Sequence, residues 1–303
     1  MLVRLRYYSS NAHSELQRTG SDLLVRTLCA IALLVVGGAF AACSSATGDF
    51  HFEILGDRTG EAQAGVYEEA WKETLADHPA FAVTVGDTIE GEDDLTMDNQ
   101  WRQVMTLLAP YRKFAIYFTP GNHDVWSLAS AEAYEKYTKH PLHYGFNFEQ
   151  AHFVVLDDSR SDRMPEEEIA FLRNDLEANQ RQPLKFIFSH RPSWLLNVVL
   201  SNPNFPLAQL AKRYGVRYVI AGHIHQMQHY EVDGITYLSM ASAGGHLRGS
   251  KKYEDGWFFA HTLVTVHGDS ADFAIRELPA PHGEGRVSNP ADWGPSGLNE
   301  SAK

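Results

Sequence analysis

The sequence predicts an α/β sandwich built from mixed β-sheets, and three observations carry this prediction. Short apolar runs alternate with segments whose apolar residues recur at helical spacing. Two apolar runs near the C-terminal end, 234–244 and 257–268, have no helical segment between them. The 303-residue chain is 44% hydrophobic and 21% charged, which is enough apolar surface for a large core. Alternating strands and helices followed by a strand-rich end indicate mixed sheets.

The apolar runs predict strands, and most of the earlier ones end in a polar residue. Before the two C-terminal runs they lie at 50–57, 80–87, 114–124, 153–159, 184–190 and 217–225. The run at 114–124 passes into a turn. The order of the runs along the chain gives the framework on which the candidate functional residues are placed.

The segments with helical spacing alternate with the strands. They lie at 62–78, 100–111, 130–138, 165–180 and 206–215. Pro110 ends the second helix, and Gly215 closes the last one. Pro165 suits the first helical position, because acidic residues follow it in the first turn and complement the helix dipole. Residues 279–303 are rich in Pro, Gly and polar residues, and we predict a disordered tail there.

The N-terminal segment 1–42 is predicted to be a targeting signal, and residues 43–49 are predicted to be a linker. Residues 27–42 carry no charge, but they are shorter than the roughly 20 apolar residues that a spanning helix needs. The small residues before Cys43 resemble the lipobox of bacterial lipoproteins, although Phe40 departs from the usual Leu. The lead-in before residue 26 is long, which suggests a true start near Leu24. The alternatives are a plain signal peptide, an uncleaved anchor and a buried helix.

Charge and cysteine content narrow the functional class and the compartment. The net charge of −12 argues against a nucleic-acid surface or an anionic-membrane surface. Both cysteines lie in the N-terminal segment, so the globular part contains no disulfide. By resemblance to lipoproteins, Ser44 after Cys43 favours a lipid anchor at Cys43 in the outer membrane, facing the periplasm. The alternative is a secreted or soluble periplasmic protein.

Five of the predicted strands end in side chains of metal-ligand type. Carboxyl ends of strands gather at one edge of an α/β sheet, so these side chains are expected to meet. A single Gly-Asp is usually a turn, but five such ends in order are not explained by turns alone. The set is Asp57, Asp87, Asn122, His190, His223 and His225. Carboxylate, amide and imidazole donors suit Mn, Zn, Fe or Ni, and six donors suit two ions that share a carboxylate.

The ordered motifs resemble those of the calcineurin-like metallophosphoesterase superfamily over about residues 50–230. They are "GDRTG" (56–60), "GDTIE" (86–90), "GNHD" (121–124), "SHRP" (189–192) and "GHIH" (222–225). The resemblance implies a domain over 50–278 with a metallo-dependent phosphatase-like fold, a four-layer α/β/β/α sandwich of two mixed β-sheets flanked by helices. It also implies a hydrolase that cleaves a small or macromolecular phosphomonoester or phosphodiester with a two-metal-activated hydroxide.

The resemblance assigns a role to each motif residue. Asp57, Asp87 and His225 would hold the first metal, and Asp87 would bridge to the second. The remaining ligands of the second metal would be Asn122, His190 and His223. His123 would lie beside the leaving group as an acid or a charge stabiliser. Asp124 would orient His123 or stiffen its turn.

The first motif departs from the family pattern at Thr59, where the family usually has a His on the first metal. Purple acid phosphatases also lack this His and use a Tyr three residues after the bridging Asp. Glu90 stands at that position here, so we expect Glu90, or water held by Thr59, to complete the first site. Arg58 and His246 are candidate substrate contacts. The alternative function is a metal-binding envelope lipoprotein of the same fold with little or no catalysis.

Overall fold

The structure is a computed structural model that describes residues 48–293. The predicted targeting segment 1–42, the proposed anchor at Cys43 and residues 294–303 of the predicted tail lie outside the described residues. Among the helices of 48–293, none has both the length and the apolar character needed to cross a membrane.

Six strands of the described chain form the first sheet. They are β1 (Phe50–Leu55), β2 (Phe81–Thr84), β3 (Ala115–Tyr117), β10 (Ala260–His267), β11 (Ser270–Glu277) and β12 (Val287–Ser288). Their order is β12-β11-β10-β1-β2-β3. β1, β2 and β3 run parallel, whereas β10 and β11 add antiparallel strands on the other side of β1. The sheet is therefore mixed, as predicted.

The second sheet of the described residues also has six strands. They are β4 (Tyr144–Phe148), β5 (Ala151–Val155), β6 (Leu184–Phe188), β7 (Tyr218–Ala221), β8 (Gln228–Val232) and β9 (Ile235–Ser239). Their order is β4-β5-β6-β7-β9-β8. The four central strands are parallel, and β4 and β8 pair antiparallel at the two edges.

Helices cover the outer face of each sheet. They are α1 (Val66–Ala76), α2 (Met97–Leu108), α3 (Leu128–Thr138), α4 (Glu166–Ala178), α5 (Leu195–Val199) and α6 (Pro206–Tyr214). Trp71 of α1 and Trp101 of α2 pack with outward residues of the first sheet. Leu172 of α4 and Leu210 of α6 do the same on the second sheet. This arrangement confirms the predicted four-layer sandwich.

The core between the two sheets is largely aromatic. Phe52 stacks on Phe81 within the first sheet at 5.0 Å between ring centroids, and meets Phe153 of the second sheet edge-on at 5.3 Å. Phe153 in turn stacks on Phe186 at 4.9 Å. All four rings are buried, and burying a ring of this size contributes about 1.5–3 kcal/mol each. The packed rings fix the sheets face to face, so that the strand ends are held rigidly.

Several elements were missed because their sequence signal is weak. The helix α5 is a single short turn within a segment predicted as loop. β4 and β8 alternate half-buried and exposed positions at sheet edges, so they lack the apolar runs of the central strands. β11 is polar along its exposed face. Pro165 is the N-cap of α4, not its first helical residue, because its ψ of 151° is extended.

The predicted disordered tail from residue 279 is wrong for the part that the structure describes. β12 pairs with β11 through Ile275 and Ser288. Trp293 is fully buried, its indole nitrogen donates to Ser288 Oγ at 3.0 Å, and its carbonyl accepts from His229 Nδ1 at 2.8 Å. The composition of 279–293 suggested disorder, but burial of the Trp293 ring is enough to hold this segment against the core.

Candidate metal centre

Loops after the parallel strands of both sheets converge at one edge of the sandwich. The His223 amide donates to Asp57 Oδ1 at 2.8 Å, which joins the loop after β7 to the loop after β1. The His123 amide donates to Asp87 Oδ1 at 2.9 Å, which joins the loops after β3 and β2. The Gly222 amide donates to the His190 carbonyl at 2.9 Å. Each predicted strand end therefore contributes to a single site, as the order of the motifs indicated.

The first group of ligand atoms comes from Asp57, Asp87 and His225. One donor atom from each lies within 4.8 Å of the others, and all three residues are buried. His225 Nε2 is 3.7 Å from Asp57 Oδ1. Asp57 Oδ2, Asp87 Oδ2 and His225 Nε2 are buried without a hydrogen-bond partner among the described residues. Unpaired buried carboxylates are costly, so these atoms fit a cation that would satisfy them together.

The second group shares Asp87 and adds His190 and His223, again within 4.8 Å. His190 Nε2 lies 3.2 Å from Asp87 Oδ1, 3.0 Å from Asn122 Oδ1 and 3.1 Å from His223 Nδ1. Three oxygen and nitrogen acceptors thus face one imidazole nitrogen. Because Asp87 belongs to both groups, its carboxylate is placed to bridge two ions, as the resemblance implied.

Backbone carbonyls orient two of the imidazoles. His190 Nδ1 donates to the Val85 carbonyl at 2.8 Å, and His225 Nδ1 donates to the His246 carbonyl at 2.8 Å. With a hydrogen on Nδ1 bound outwards, Nε2 is the atom that each ring directs into the cluster. Outer partners of this kind fix the tautomer of metal-binding histidines. The site is therefore prepared for a metal by groups beyond the ligands themselves.

The pKa values of the residues in the site reflect the negative charge that Asp57 and Asp87 concentrate there. Burial raises the pKa of Asp57, although His225 and His190 oppose this shift. Burial also acts on Asp87, but the neighbouring His190 outweighs it and holds the Asp87 pKa below its ordinary value. Burial alone would lower the pKa of His190, yet Asp87 and Asp57 raise it to about 10. The carboxylates thus attract a proton to His190, and a bound divalent cation would displace it.

Motif glycines allow the ligand loops to approach one another. A β-carbon at Gly121 would lie 2.1 Å from the Asp87 nitrogen, and one at Gly222 would lie 2.6 Å from Asp57 Oδ2. Asp87, His223 and His225 all have positive φ, at 53°, 71° and 59°. Such strained conformations in non-glycine residues concentrate at functional sites. The ligands are therefore held in tight turns that only the Gly-containing motifs permit.

His123 lies beside the cluster without belonging to either ligand group. Its Nδ1 donates to the Glu90 carbonyl at 2.6 Å, and its Nε2 lies 4.0 Å from Asp87 Oδ2. Asp124 does not orient this ring. Its carboxylate instead accepts the amides of Thr88, Ile89 and Gly121 at 2.8, 3.1 and 3.0 Å. Asp124 therefore stiffens the turns, which is the second of the two roles expected for it.

Thr59 and Glu90 lie next to each other at the first group. The Thr59 side chain is buried and its amide donates to the Asp87 carbonyl at 3.1 Å. Partial burial of Glu90 raises its pKa, but the Thr59 hydroxyl and the Ala62 amide outweigh this effect and the net pKa is lowered. Glu90 Oε1 accepts from that amide at 2.9 Å. Glu90 is not among the atoms grouped with Asp57, so its role as a metal ligand stays a prediction.

The two candidate substrate contacts are already engaged with the protein. Arg58 Nη1 donates to the Thr88 carbonyl at 3.1 Å, and its guanidinium lies 5.9 Å from the centre of the Tyr67 ring. The His246 ring donates from Nδ1 to the Gly60 carbonyl at 2.6 Å. Substrate contact by either residue stays a prediction. What the structure adds for His246 is its backbone carbonyl, which fixes His225.

Three further residues lie at the centre, and only Arg191 of these belongs to a quoted motif, "SHRP" (189–192). Arg191 Nη1 lies 3.3 Å from His223 Nε2. Asp158 Oδ1 accepts the amides of His190 and Arg191 at 3.0 and 2.9 Å, which anchors the loop after β6. Arg248 Nη2 and His225 Cε1 both approach Gly60. The only signal for Arg248 in the sequence is its place in the Gly-rich segment 243–250.

Residues 46–227, more than half of the chain, match the family model described as calcineurin-like phosphoesterase. The chain has no match among curated protein sequences.

Solved structures share the fold at low identity. The purple acid phosphatase PPD1 from yellow lupin seeds superposes with a TM-score of 0.61 at 14% identity, over 80% of this chain and 53% of that one. The chain thus spans about half the length of that phosphatase.

Two further structures resemble this chain over most of their own length. A dimetal phosphatase from Danio rerio gives a TM-score of 0.53 at 14% identity, covering 80% of this chain and 99% of that chain. GAP50, described as the anchor in the inner membrane complex of Plasmodium, gives 0.56 at 15% identity, covering 80% and 88%. At these identities the likeness concerns the fold alone.

Proposed function

The chain belongs to the calcineurin-like phosphoesterase family, and from that premise we propose that it is a metal-dependent phosphoesterase that uses the centre described above. The observation that carries the proposal is the pair of ligand groups that share Asp87, with buried donor atoms that have no partner among the described residues. A turn or an ion pair would not leave these atoms unsatisfied.

Two divalent or transition metal ions, such as Mn, Zn, Fe or Ni, suit this donor set. Asp57, Asp87 and His225 would hold the first ion. Asp87, Asn122, His190 and His223 would hold the second. When bound, the ions would lower the pKa of water and neutralise charge on the phosphoryl oxygens.

His123 is placed to serve the leaving group. Its Nδ1 hydrogen is committed to the Glu90 carbonyl, so Nε2 is the atom that faces the cluster. In the hydrolysis, water forms a bond to phosphorus and the phosphorus–oxygen bond to the leaving group breaks. The leaving oxygen keeps the bonding electrons and takes a proton from Nε2 of the His123 imidazolium, while the attacking water releases one proton to solvent. The products are an alcohol and phosphate from a monoester, or an alcohol and a phosphomonoester from a diester. Solvent returns the proton to His123.

We also propose that the protein works in the bacterial envelope, anchored by lipid at Cys43. The support is the uncharged stretch 27–42 and the small residues before Cys43. Metabolic labelling of the full chain with a radioactive fatty acid tests this proposal. Label on the wild type that is absent from Cys43→Ser supports the anchor, and equal label or none on both contradicts it.

A second candidate function is metal binding with little or no catalysis. Thr59 favours it, because a threonine replaces the imidazole that usually completes the first site. The likeness to GAP50, described as an anchor, is consistent with a non-enzymatic role for this fold. His123 is positioned at the site nevertheless, and a purely metal-binding protein has no need of it there.

Hydrolysis assays on the reconstituted protein separate the two functions. The full chain is supplied with Mn and tested on a chromogenic phosphomonoester and a chromogenic phosphodiester, with Asp57→Asn as the control. Turnover by the wild type that requires Mn and is lost in the variant supports the phosphoesterase. Bound metal without turnover of either substrate contradicts it and favours the second function.

A further inference from the structure

A Gly-rich loop, residues 243–250, is fastened to the turn that carries Asp57. The amides of Ala243 and Gly245 donate to the Asp57 carbonyl at 3.0 and 3.1 Å. The His246 amide donates to the Gly60 carbonyl at 3.0 Å. Because these bonds fix the first part of the loop, Arg248 in the same loop is kept close to the turn that carries Asp57 and Gly60.

The guanidinium of Arg248 and the imidazole of His225 both approach Gly60. A β-carbon built on Gly60 would be 3.5 Å from Arg248 Nη2 and 3.1 Å from His225 Cε1. The two groups therefore flank the same point on the chain. Burial is the main cause that lowers the pKa of His223, and the positive charges of His190, Arg191 and Arg248 add to it. The charges of Arg191 and Arg248 thus both act on the turn between His223 and His225.

The two arginines differ in how their charge is compensated. Arg191 pairs with Asp162 at 2.5 Å and donates from Nε to the Ser159 carbonyl at 3.3 Å. Arg248 is exposed, and within residues 48–293 it has no ion pair and no hydrogen bond. The chain carries 38 acidic and 26 basic residues. The charge of Arg248 is therefore not compensated by a partner among the described residues, close to the candidate metal centre.

We propose that Arg248 binds the non-esterified oxygens of the substrate phosphate and that this contact favours a doubly charged phosphomonoester over a singly charged phosphodiester. The inference rests on the proposed phosphoesterase function and deepens it. A guanidinium presents two parallel donors that match two phosphate oxygens. After the metals have bound the phosphate, a monoester still presents a further anionic oxygen. In a diester, the oxygen at that position carries the second ester group.

The test compares Arg248→Ala and Arg248→Lys in the metal-loaded full chain. Arg181→Ala is the matched control, because Arg181 is exposed in the loop between α4 and β6, before the strand, whereas His190 follows the strand. Binding of inorganic phosphate is measured by calorimetry, and kcat and KM are measured for a monoester and a diester. Metal content and the melting temperature are checked for every variant.

We expect Arg248→Ala to raise the phosphate Kd and the monoester KM about tenfold or more, the usual loss for a charge-assisted hydrogen bond. The diester KM should change by less than about threefold, and Arg248→Lys should recover part of the loss. An unchanged phosphate Kd, an equal effect in Arg181→Ala, or equal loss on both esters would overturn the inference. If phosphate binding depends on Arg248 but the protein shows no turnover, the proposed function is refuted and the contact between Arg248 and phosphate is supported.

Discussion

The imidazole of His225 donates a hydrogen bond from Nδ1 to the backbone carbonyl of His246 at 2.8 Å. This contact turns Nε2 towards Asp57 and Asp87, where it is buried without another partner among the described residues. The first candidate metal site thus depends on a loop that lies more than 20 residues further along the chain. The fold already holds the donor atoms of this site in position, so an ion does not have to bring them together.

Asp87 is shared by both ligand groups, so its loss should affect both ions. We expect Asp87→Asn to lower the metal content of the reconstituted protein to below about one ion per chain. Elemental analysis after gel filtration measures this. Asp233→Asn is the control, because Asp233 pairs with Lys212 at the surface. Full metal content in Asp87→Asn would show that the carboxylate does not bridge.

Glu90 is predicted to complete the first site in place of the missing imidazole. If it does, Glu90→Ala should lose about one ion per chain, and its activity should depend on a higher concentration of added Mn. Glu132→Ala, an exposed change on α3, serves as the control. Two ions per chain in Glu90→Ala would exclude this role and leave water held by Thr59 as the remaining candidate.

His123 is expected to act on the leaving group without holding metal. His123→Ala should lower kcat by about 10²- to 10⁴-fold while metal content stays unchanged. The loss should be larger for an alkyl phosphate than for p-nitrophenyl phosphate, since the better leaving group needs less proton transfer. An equal loss on both substrates, or a loss of metal, would contradict the assignment.

A buried histidine that belongs to neither of the two ligand groups containing Asp87 should make stability depend on pH. His261 lies between Glu53 and Glu73, at 2.9 and 3.0 Å, with the Asp77–Arg276 pair beside them. Burial alone would lower its pKa, but the two glutamates raise it to about 9. The stabilisation is therefore complete below the unfolded pKa of about 6.5 and is lost as pH rises through about 9.

The size of this effect follows from the shift in pKa, which corresponds to about 3 kcal/mol at most. Urea unfolding at pH 6, 8 and 10 measures it. The wild type should lose stability across this range, whereas His261→Gln should be less stable at pH 6 and show a smaller change with pH. His78→Gln, at an exposed position, should behave as wild type. A wild type with the same unfolding free energy at pH 6 and 10 would contradict the prediction.

The metal ligands could be predicted because their positions follow from chain direction. Parallel strands end at one edge, so Asp57, Asp87 and His190 had to approach one another once their runs were recognised as strands. The role of Asp124 required the structure, because three amides from two separate turns converge on its carboxylate. His246 contributes to the site through its backbone carbonyl. Every residue type has this carbonyl, so the identity of residue 246 could not indicate the role.

Arg248 and Trp293 show what sequence patterns do not contain. The position of the Arg248 guanidinium depends on how a Gly-rich loop closes on Asp57, and such loops have no periodicity to interpret. Trp293 fastens a segment whose composition indicated disorder. In both cases several long-range contacts decide the outcome, and contacts of this kind arise only from the assembled fold.

The central claim is that one shared carboxylate organises two ions into a hydrolytic centre. Its most direct test is to titrate the metal-free full chain with Mn and to measure bound ions and phosphomonoester turnover on the same samples. The account predicts turnover that rises with occupancy and reaches its maximum at about two ions per chain. Maximal turnover at one ion, or two bound ions with no turnover, would contradict it.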